Sequence, residues 1–366
     1  MNLDVPKQSR PMRRRWVSRL AWTLSSCAAV ISMLWLFAEE SYWLDLLANL
    51  GAQVLILLIL ALLVVMATRR WRAVLVAAIA CVVQCVPLAM HRAAWTPRGL
   101  AANAPAGAVR FLHYNDSCLS QKRDVFALME RSGADVLSIL CPPVQMQFEV
   151  FDGHGPADAY AGKLIRRWKP APDSVSTEIS AGFVVSRWPI TRVDCAFLGP
   201  MADRFIAGVV ERPGGRFGVI AVHPRSPRNP ERWREGNWTI GALAILSKKM
   251  QADGLAVVVL ADLNSTPTGW RSREACAAGG LDRAKPVFAF EGTYPDVVPL
   301  NIRTKQSTAI PAIWPASIAI DDALVSAGVG GGGWGTLHRL QSEHLPVVVD
   351  LRIPAEGTSA VNPSGR

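Results

Sequence analysis

Cysteine is scarce in this chain, with seven residues in 366, far below the density of a disulfide scaffold. Charge is scarce as well, 19% of residues against 50% hydrophobic, which excludes a disordered or fibrous protein. There is no Walker A loop and no Cys-x-x-Cys pair, so neither a P-loop nucleotide site nor a thioredoxin-type redox pair is encoded. Acidic residues number 29 against 39 Lys and Arg, a net charge of +10. Residues 1–98 hold 11 basic and 4 acidic side chains, and residues 99–366 hold 28 and 25. The basic excess is therefore concentrated at the start, which leaves nucleic acid a disfavoured partner for the remainder.

Long uncharged runs are abundant. Residues 20–38, 46–68 and 73–90 contain no charged side chain, and ~20 apolar residues suffice to cross the hydrocarbon core of a bilayer. The runs predict three transmembrane helices and make residues 1–92 a membrane anchor. Arg13, Arg14 and Arg15 precede the first run, and Arg69, Arg70 and Arg72 separate the second from the third. The positive-inside rule assigns those flanks to the cytoplasm. Three crossings then predict a multi-pass protein of the cytoplasmic (inner) membrane whose remaining chain is extracytoplasmic or periplasmic.

Residues 93–109, rich in Ala, Pro and Gly, read as a linker, and residues 354–366 as a disordered tail. Between them, residues 110–353 alternate short β-branched runs with helical patterns. VRFLHY, DVLSIL, AGFVVS, FIAGVVE, FGVIAVH, LAVVVLAD and LPVVVDL read as strands. Residues 122–131 and 230–252 read as helices, and a third opens after Asn264, with Ser265 or Thr268 as N-cap. This grammar predicts one α/β domain built on mixed sheet. The stretch from Gly328 to Gly333 formally matches a dinucleotide fingerprint, but no helical pattern follows, so it reads as a flexible loop.

Several strands end in residues that carry chemistry: Asn115, His223, Asp262 with Asn264, and Asp321 with Asp322, while Glu343 and His344 precede the last. Carboxylates, amides and imidazoles gathered at strand ends suit metal-assisted hydrolysis. Taken singly, Asp262 and Asn264 also serve as helix caps, and His223 as a loop histidine. His113 reads as a structural residue on a sheet surface. Arg225, Arg228, Arg232 and Arg234 form either a phosphate-recruiting rim or a solvated helix face.

Taken in order, these residues resemble the endonuclease/exonuclease/phosphatase (DNase I-like) family. Ala261-Asp262-Leu263-Asn264 resembles the family's Gly-Asp-Phe-Asn, and Ile320-Asp321-Asp322 its Ile-Asp-His. Ser342-Glu343-His344-Leu345-Pro346 resembles its Ser-Asp-His-Arg-Pro, and Thr293-Tyr294-Pro295 its Thr-Phe-Pro. The resemblance implies two packed mixed β-sheets flanked by helices, a four-layer α/β sandwich. It implies that His344 acts as base or electrostatic partner of the phosphate, oriented by Asp321. It further implies that His223 stabilises the transition state, that Asp262 and Asn264 position the water, and that Asn115, Glu343 and Asp262 hold a divalent ion, Mg²⁺ or Mn²⁺.

The chain departs from the family at Cys141, which stands at the position of its metal-binding Glu, and a thiol is a poor ligand for a hard cation. Cys141 reads as a small apolar strand end, as the disulfide partner of Cys118, or as a ligand for a softer ion with His223 or His344. Glu343 replaces an Asp with a longer arm, and Asp322 replaces a His. The resemblance implies a membrane-anchored phosphohydrolase acting on a phosphorylated, lipid-linked substrate of the envelope. An extracytoplasmic nuclease and a catalytically impaired binding domain for a phosphate ligand or a protein are the alternatives.

Overall fold

The computed structural model describes residues 10–89, 100, 103–117, 122–142, 160–166, 182–285, 292–295, 297–299, 309–311, 317–338, 340 and 342–355. The chain divides into two compact units, Met1–Met90 with Thr268–Trp270 and His91–Pro267 with Arg271–Arg366.

The first unit is helical. It contains α1 (Arg10–Met33), which runs on into a 3-10 turn (Leu34–Phe37), then α2 (Tyr42–Ala48), α3 (Gly51–Ala67) and α4 (Trp71–Ala89). Its interior is built largely from small residues, Ala21, Ala28, Ala73, Ala77 and Ala80, while Val30, Leu57, Leu63 and Val82 are exposed. Two polar groups inside it are paired: Ser25 Oγ donates to Ala73 O (2.8 Å) and Gln84 Nε2 to Gly51 O (3.1 Å).

The three expected crossings are corrected here. Among the described residues one helix, Arg15–Phe37, is long and apolar enough to cross a membrane. The second run is broken into α2 and α3, which are bent by 67°; at the break the Asn49 amide turns back onto Asp45 O (2.8 Å). The third, within α4, falls among the shorter apolar helices as Trp71–Pro87. The count is one span, or two if the bent pair is a single span. Neither a three-pass topology nor the periplasmic placement counted from it follows.

The second unit holds two six-stranded sheets. One has the order β13-β14-β1-β2-β4-β3, the other β5-β6-β7-β8-β12-β9. The first comprises β1 (Val109–Asn115), β2 (Val136–Leu140), β3 (Gly162–Arg166), β4 (Gly182–Ser186), β13 (Gly330–Thr336) and β14 (Val347–Arg352). The second comprises β5 (Ile190–Arg192), β6 (Phe205–Arg212), β7 (Gly215–Val222), β8 (Ala256–Asp262), β9 (Leu281–Arg283) and β12 (Asp321–Ser326). A separate two-stranded ribbon joins β10 (Val297–Pro299) to β11 (Ala309–Pro311). Both large sheets are mixed: β1 pairs parallel to β2 and antiparallel to β14, and β8 pairs parallel to β7 and antiparallel to β12.

The period of two along a strand decides what each face buries. Val109 and Phe111 of β1 meet Val219 and Val258 between the sheets, where the Phe111 and Phe217 rings pack edge to face at 5.8 Å. Leu112 and Tyr114 face the other way, onto Val125, Leu128 and Met129 of α5 (Lys122–Ser132). The second sheet is covered by α6 (Pro230–Ala252), which buries Ile240, Leu243 and Leu246, and by α7 (Trp270–Gly279), tied to α6 where Ser247 Oγ donates to Gly279 O (3.2 Å). The result is an α/β sandwich with its main core between the sheets. Asn229 caps α6 by accepting from Arg232 N, with Pro230 at the first position, a strong start signal.

The Gly328–Gly333 stretch is not a loop. It turns at Ser326–Val329 and enters β13, which pairs antiparallel with β14 and bulges between Gly331 and Gly333. A Cβ at Gly332 would stand 3.0 Å from Asp350 O, so the run of glycines permits a close edge pairing that larger residues would push apart.

Candidate active site

Alternation along the strands brings the polar ends together. In the ladder of β8 and β12, Asp262 is registered against Asp321, so the end of one strand meets the start of the other with both carboxylates between the sheets. Asn115, at the end of β1, donates from Nδ2 to Asp262 Oδ2 at 2.8 Å. His223, just beyond β7, places Nε2 3.3 Å from the same oxygen, and His344 places its Nε2 at 4.0 Å. The other oxygen of Asp262 accepts from Asn264 N (2.8 Å). Asn264 has φ +49, a left-handed conformation that Asn tolerates, and its side chain donates to Pro224 O (3.2 Å), tying two strand-end loops together.

His344 is oriented from two sides. Its Nδ1–H donates to Asp321 Oδ2 at 2.8 Å, and its backbone N–H donates to Ser342 Oγ at 3.1 Å. Ser342 in turn donates to Asn115 O at 2.7 Å. The Tyr294 ring lies 4.8 Å from the imidazole, centroid to centroid. Thr293 Oγ1 accepts from both Ile320 N and Asp321 N (3.0 Å each), fixing the start of β12. Sequence reasoning passed over Ser342 as a support, although it lies two residues before His344.

The electrostatics follow from burial and proximity. Burial works against charge on His344, but the Asp321 carboxylate and its hydrogen bond, with Asp262 and Glu343, raise its pKa from 6.5 to about 9. Burial works against the charge of Asp262 too; the hydrogen bond from His223 and the charges of His344 and His223 override it and hold the carboxyl below its ordinary range. Asp321 is pushed up, chiefly by burial, against the pull of His344. At neutral pH the site therefore sets a protonated His344 beside an ionised Asp262.

His113, read from the sequence as a structural residue on a sheet surface, lies on the face of β1 that turns toward the second sheet. It is fully buried on the same face of β1 as Asn115, with Nδ1 3.4 Å from Ser138 Oγ and Nε2 3.8 Å from Asp321 Oδ1. Burial pushes its pKa down to about 3, against the pull of Asp262. Asp322 points away from the site: its neighbour Asp321 takes the inner face, and Asp322 is buried against Arg283.

Asp262, Asp321 and His344 bring ligand atoms within 4.8 Å of one another. The two carboxylates, with Asn115 beside them, offer oxygen donors that fit a divalent cation, whereas the protonated His344 has no free lone pair to give one. Glu343, expected among the ligands, is not in that group; it is exposed and accepts a hydrogen bond from Tyr294, whose pKa is raised by burial and by this carboxylate. Cys141 is buried at the end of β2 in a left-handed conformation (φ +48), its Sγ 3.9 Å from His223 Nδ1. Cys118 lies outside the described residues, and with it the proposed pairing.

With this geometry in place, the family follows. The model of the Endonuclease/Exonuclease/phosphatase family matches residues 102–344, and the chain belongs to that family. No curated protein sequence matches it. Solved structures similar to the chain include sphingomyelinase C from Streptomyces griseocarneus, 16% identical, covering 66% of this chain and 99% of that one with a TM-score of 0.43. The human Nocturnin catalytic domain with bound sulfate is 16% identical over 69% and 96%, with a TM-score of 0.46. A mannosyl-6-phosphatase from Bacteroides thetaiotaomicron is 14% identical over 66% and 99%, with a TM-score of 0.43.

Proposed function

We propose that the chain is a membrane-associated phosphoester hydrolase. One observation carries the reading: His344, buried and held by Asp321, faces Asp262, which Asn115, His223 and the Asn264 N–H hold in place. Asp262, fixed by Asn115, His223 and the Asn264 N–H, accepts a hydrogen bond from the attacking water and aligns it with phosphorus. His344 Nε2–H and His223 donate to the phosphoryl oxygens, where negative charge builds in the transition state. Asp321 keeps the His344 ring in place and balances its charge. A divalent ion of the Mg²⁺ or Mn²⁺ class, held by Asp262 and its acidic neighbour, would supply Lewis-acid neutralisation of the phosphate. Asp322, buried against Arg283, faces away from this chemistry.

The substrate class rests on the first unit. Small residues inside and large apolar ones outside are the arrangement of helices that pack in lipid, where close backbone approach rather than hiding apolar surface drives association. A catalytic unit carried on such helices meets a phosphate ester or pyrophosphate on a lipid more readily than one in solution. The competing reading, a binding domain without turnover, draws on Cys141 at the family's Glu position.

The test is hydrolysis by the full chain in detergent micelles, read by chromatographic separation of the products, of a polyprenyl pyrophosphate, a phospholipid and single-stranded DNA, with Mg²⁺, Mn²⁺ or EDTA. Turnover that EDTA abolishes and His344→Ala lowers by about 10²–10⁴-fold supports the hydrolase. A folded protein that binds phosphate and cleaves no substrate would establish the binding domain instead.

A further inference from the structure

Behind the Asp321–His344 pair lie two buried polar atoms without hydrogen bonds, His113 Nε2 and Asp321 Oδ1. They stand 3.8 Å apart, and both residues are 1% exposed. A buried donor facing a buried acceptor, neither with a partner among the described residues, is costly for each, and one hydrogen bond relieves both; the Asp321 carboxyl also receives a hydrogen bond from the Thr293 side chain. The gap exceeds a normal N–H···O contact by only about 0.7 Å. The remaining atoms of the two residues are committed. Asp321 Oδ2 receives His344 Nδ1–H at 2.8 Å, and His113 Nδ1 lies 3.4 Å from Ser138 Oγ. β1 is registered between β14 and β2, with His113 opposite Val347 and Ser138.

We propose that His113 is a positioning residue for this pair: its Nε2–H donates to Asp321 Oδ1, and so holds the carboxylate with Oδ2 on His344 Nδ1. Ser138 donates to Nδ1 and selects the tautomer that carries the proton on Nε2. As a neutral ring it supplies one donor and no competing charge. Nothing is transferred; the proton stays on His113 throughout, and the residue acts only through Asp321 and His344. The inference rests on the hydrolase reading for its kinetic consequence and on the geometry alone for its structural one.

Two variants separate a donor from a packing residue. His113→Phe fills the space without a donor, and His113→Gln restores an N–H near the position of Nε2. In the full chain in micelles, His113→Phe lowers kcat by about 10–100-fold, the range seen when a partner behind a catalytic or metal-bound group is removed. KM stays within about twofold, since substrate binding is untouched, and His113→Gln recovers most of kcat. If both folded variants are equally slow, or His113→Phe keeps the wild-type kcat, the proposal is overturned. A second readout needs no turnover: in the ¹⁵N-histidine-labelled full chain, the His344 Nδ1–H resonance, assigned by its loss in His344→Ala, moves in His113→Phe and returns in His113→Gln. A resonance unmoved by His113→Phe overturns the proposal even if the wild type proves inactive, whereas inactivity with the shift present removes only the hydrolase reading.

Discussion

Asp262 draws on four neighbours contributed by four different segments, Asn115, His223, Asn264 and His344. At this scale charge placement is the main variable. The folded pKa of His344 lies above its ordinary value, rising from 6.5 to about 9. Its contribution to stability is therefore fully present below about pH 6.5 and is lost as pH climbs through about 9. The thermal midpoint of the metal-free wild type should exceed that of His344→Gln most at pH 6.5, and the gap should close by about pH 10. A gap independent of pH would mean that His344 is buried as the neutral ring. Cys141 offers the second prediction at this scale. Its Sγ lies near His223 Nδ1, one residue from the carboxylate cluster, where the family carries an acid. Hard cations prefer oxygen to sulfur, so Cys141→Glu should raise Mn²⁺ affinity by about tenfold or more, read by calorimetric titration. Unchanged affinity would show that the ion does not use this strand end.

Elements were legible in the sequence where one rule dominated. The run 230–252 carried both a cap and an N1 proline and folds as α6 over those residues; the β-branched runs at 109–114, 135–140 and 255–262 became β1, β2 and β8. Where two rules competed, the reading failed. The glycines of β13 signalled flexibility, and edge pairing with β14 overrode that signal. The short strands β5 and β9, three residues each, have too few positions for a period to show. At the site, residue order gave the members, but not which way adjacent side chains point. His113 shares parity with Asn115 and was therefore readable as facing inward; Asp321 and Asp322 were not separable until the register of β12 against β8 was known. The same parity puts Arg110 and Asp350 on the outer face, where Nε and Nη2 of Arg110 donate to Oδ1 and Oδ2 of Asp350 at 2.8 and 3.0 Å, both residues buried. Removing one partner strands a buried charge. Arg110→Met should cost about 3–5 kcal/mol in denaturant unfolding, while adding Asp350→Leu should recover much of it. Additive losses in the double variant would mean that the pair is not what joins β1 to β14.

At the scale of the whole molecule, what covers the helical unit decides where the protein resides. Leu57, Leu63, Val64 and Val82 are each about half exposed or more, and water penalises such surface at about 25 cal/mol per Å². The helix Arg15–Phe37 is long enough to cross a bilayer by itself, and two further apolar helices pack with it through alanines. A single-span or signal-like segment and a lipid-embedded unit make different predictions. If the unit sits in lipid, the expressed full chain remains in the membrane pellet after extraction with alkaline carbonate and comes out only with detergent. Changing Val30 and Ile31 to Lys, on the exposed side of α1, should weaken retention without freeing the chain, because α3 and α4 keep their own apolar faces. Release of the wild type by carbonate alone would show that these faces are covered by protein, and would remove the lipid-borne substrate from the functional reading while leaving the chemistry of His344 and Asp262 intact.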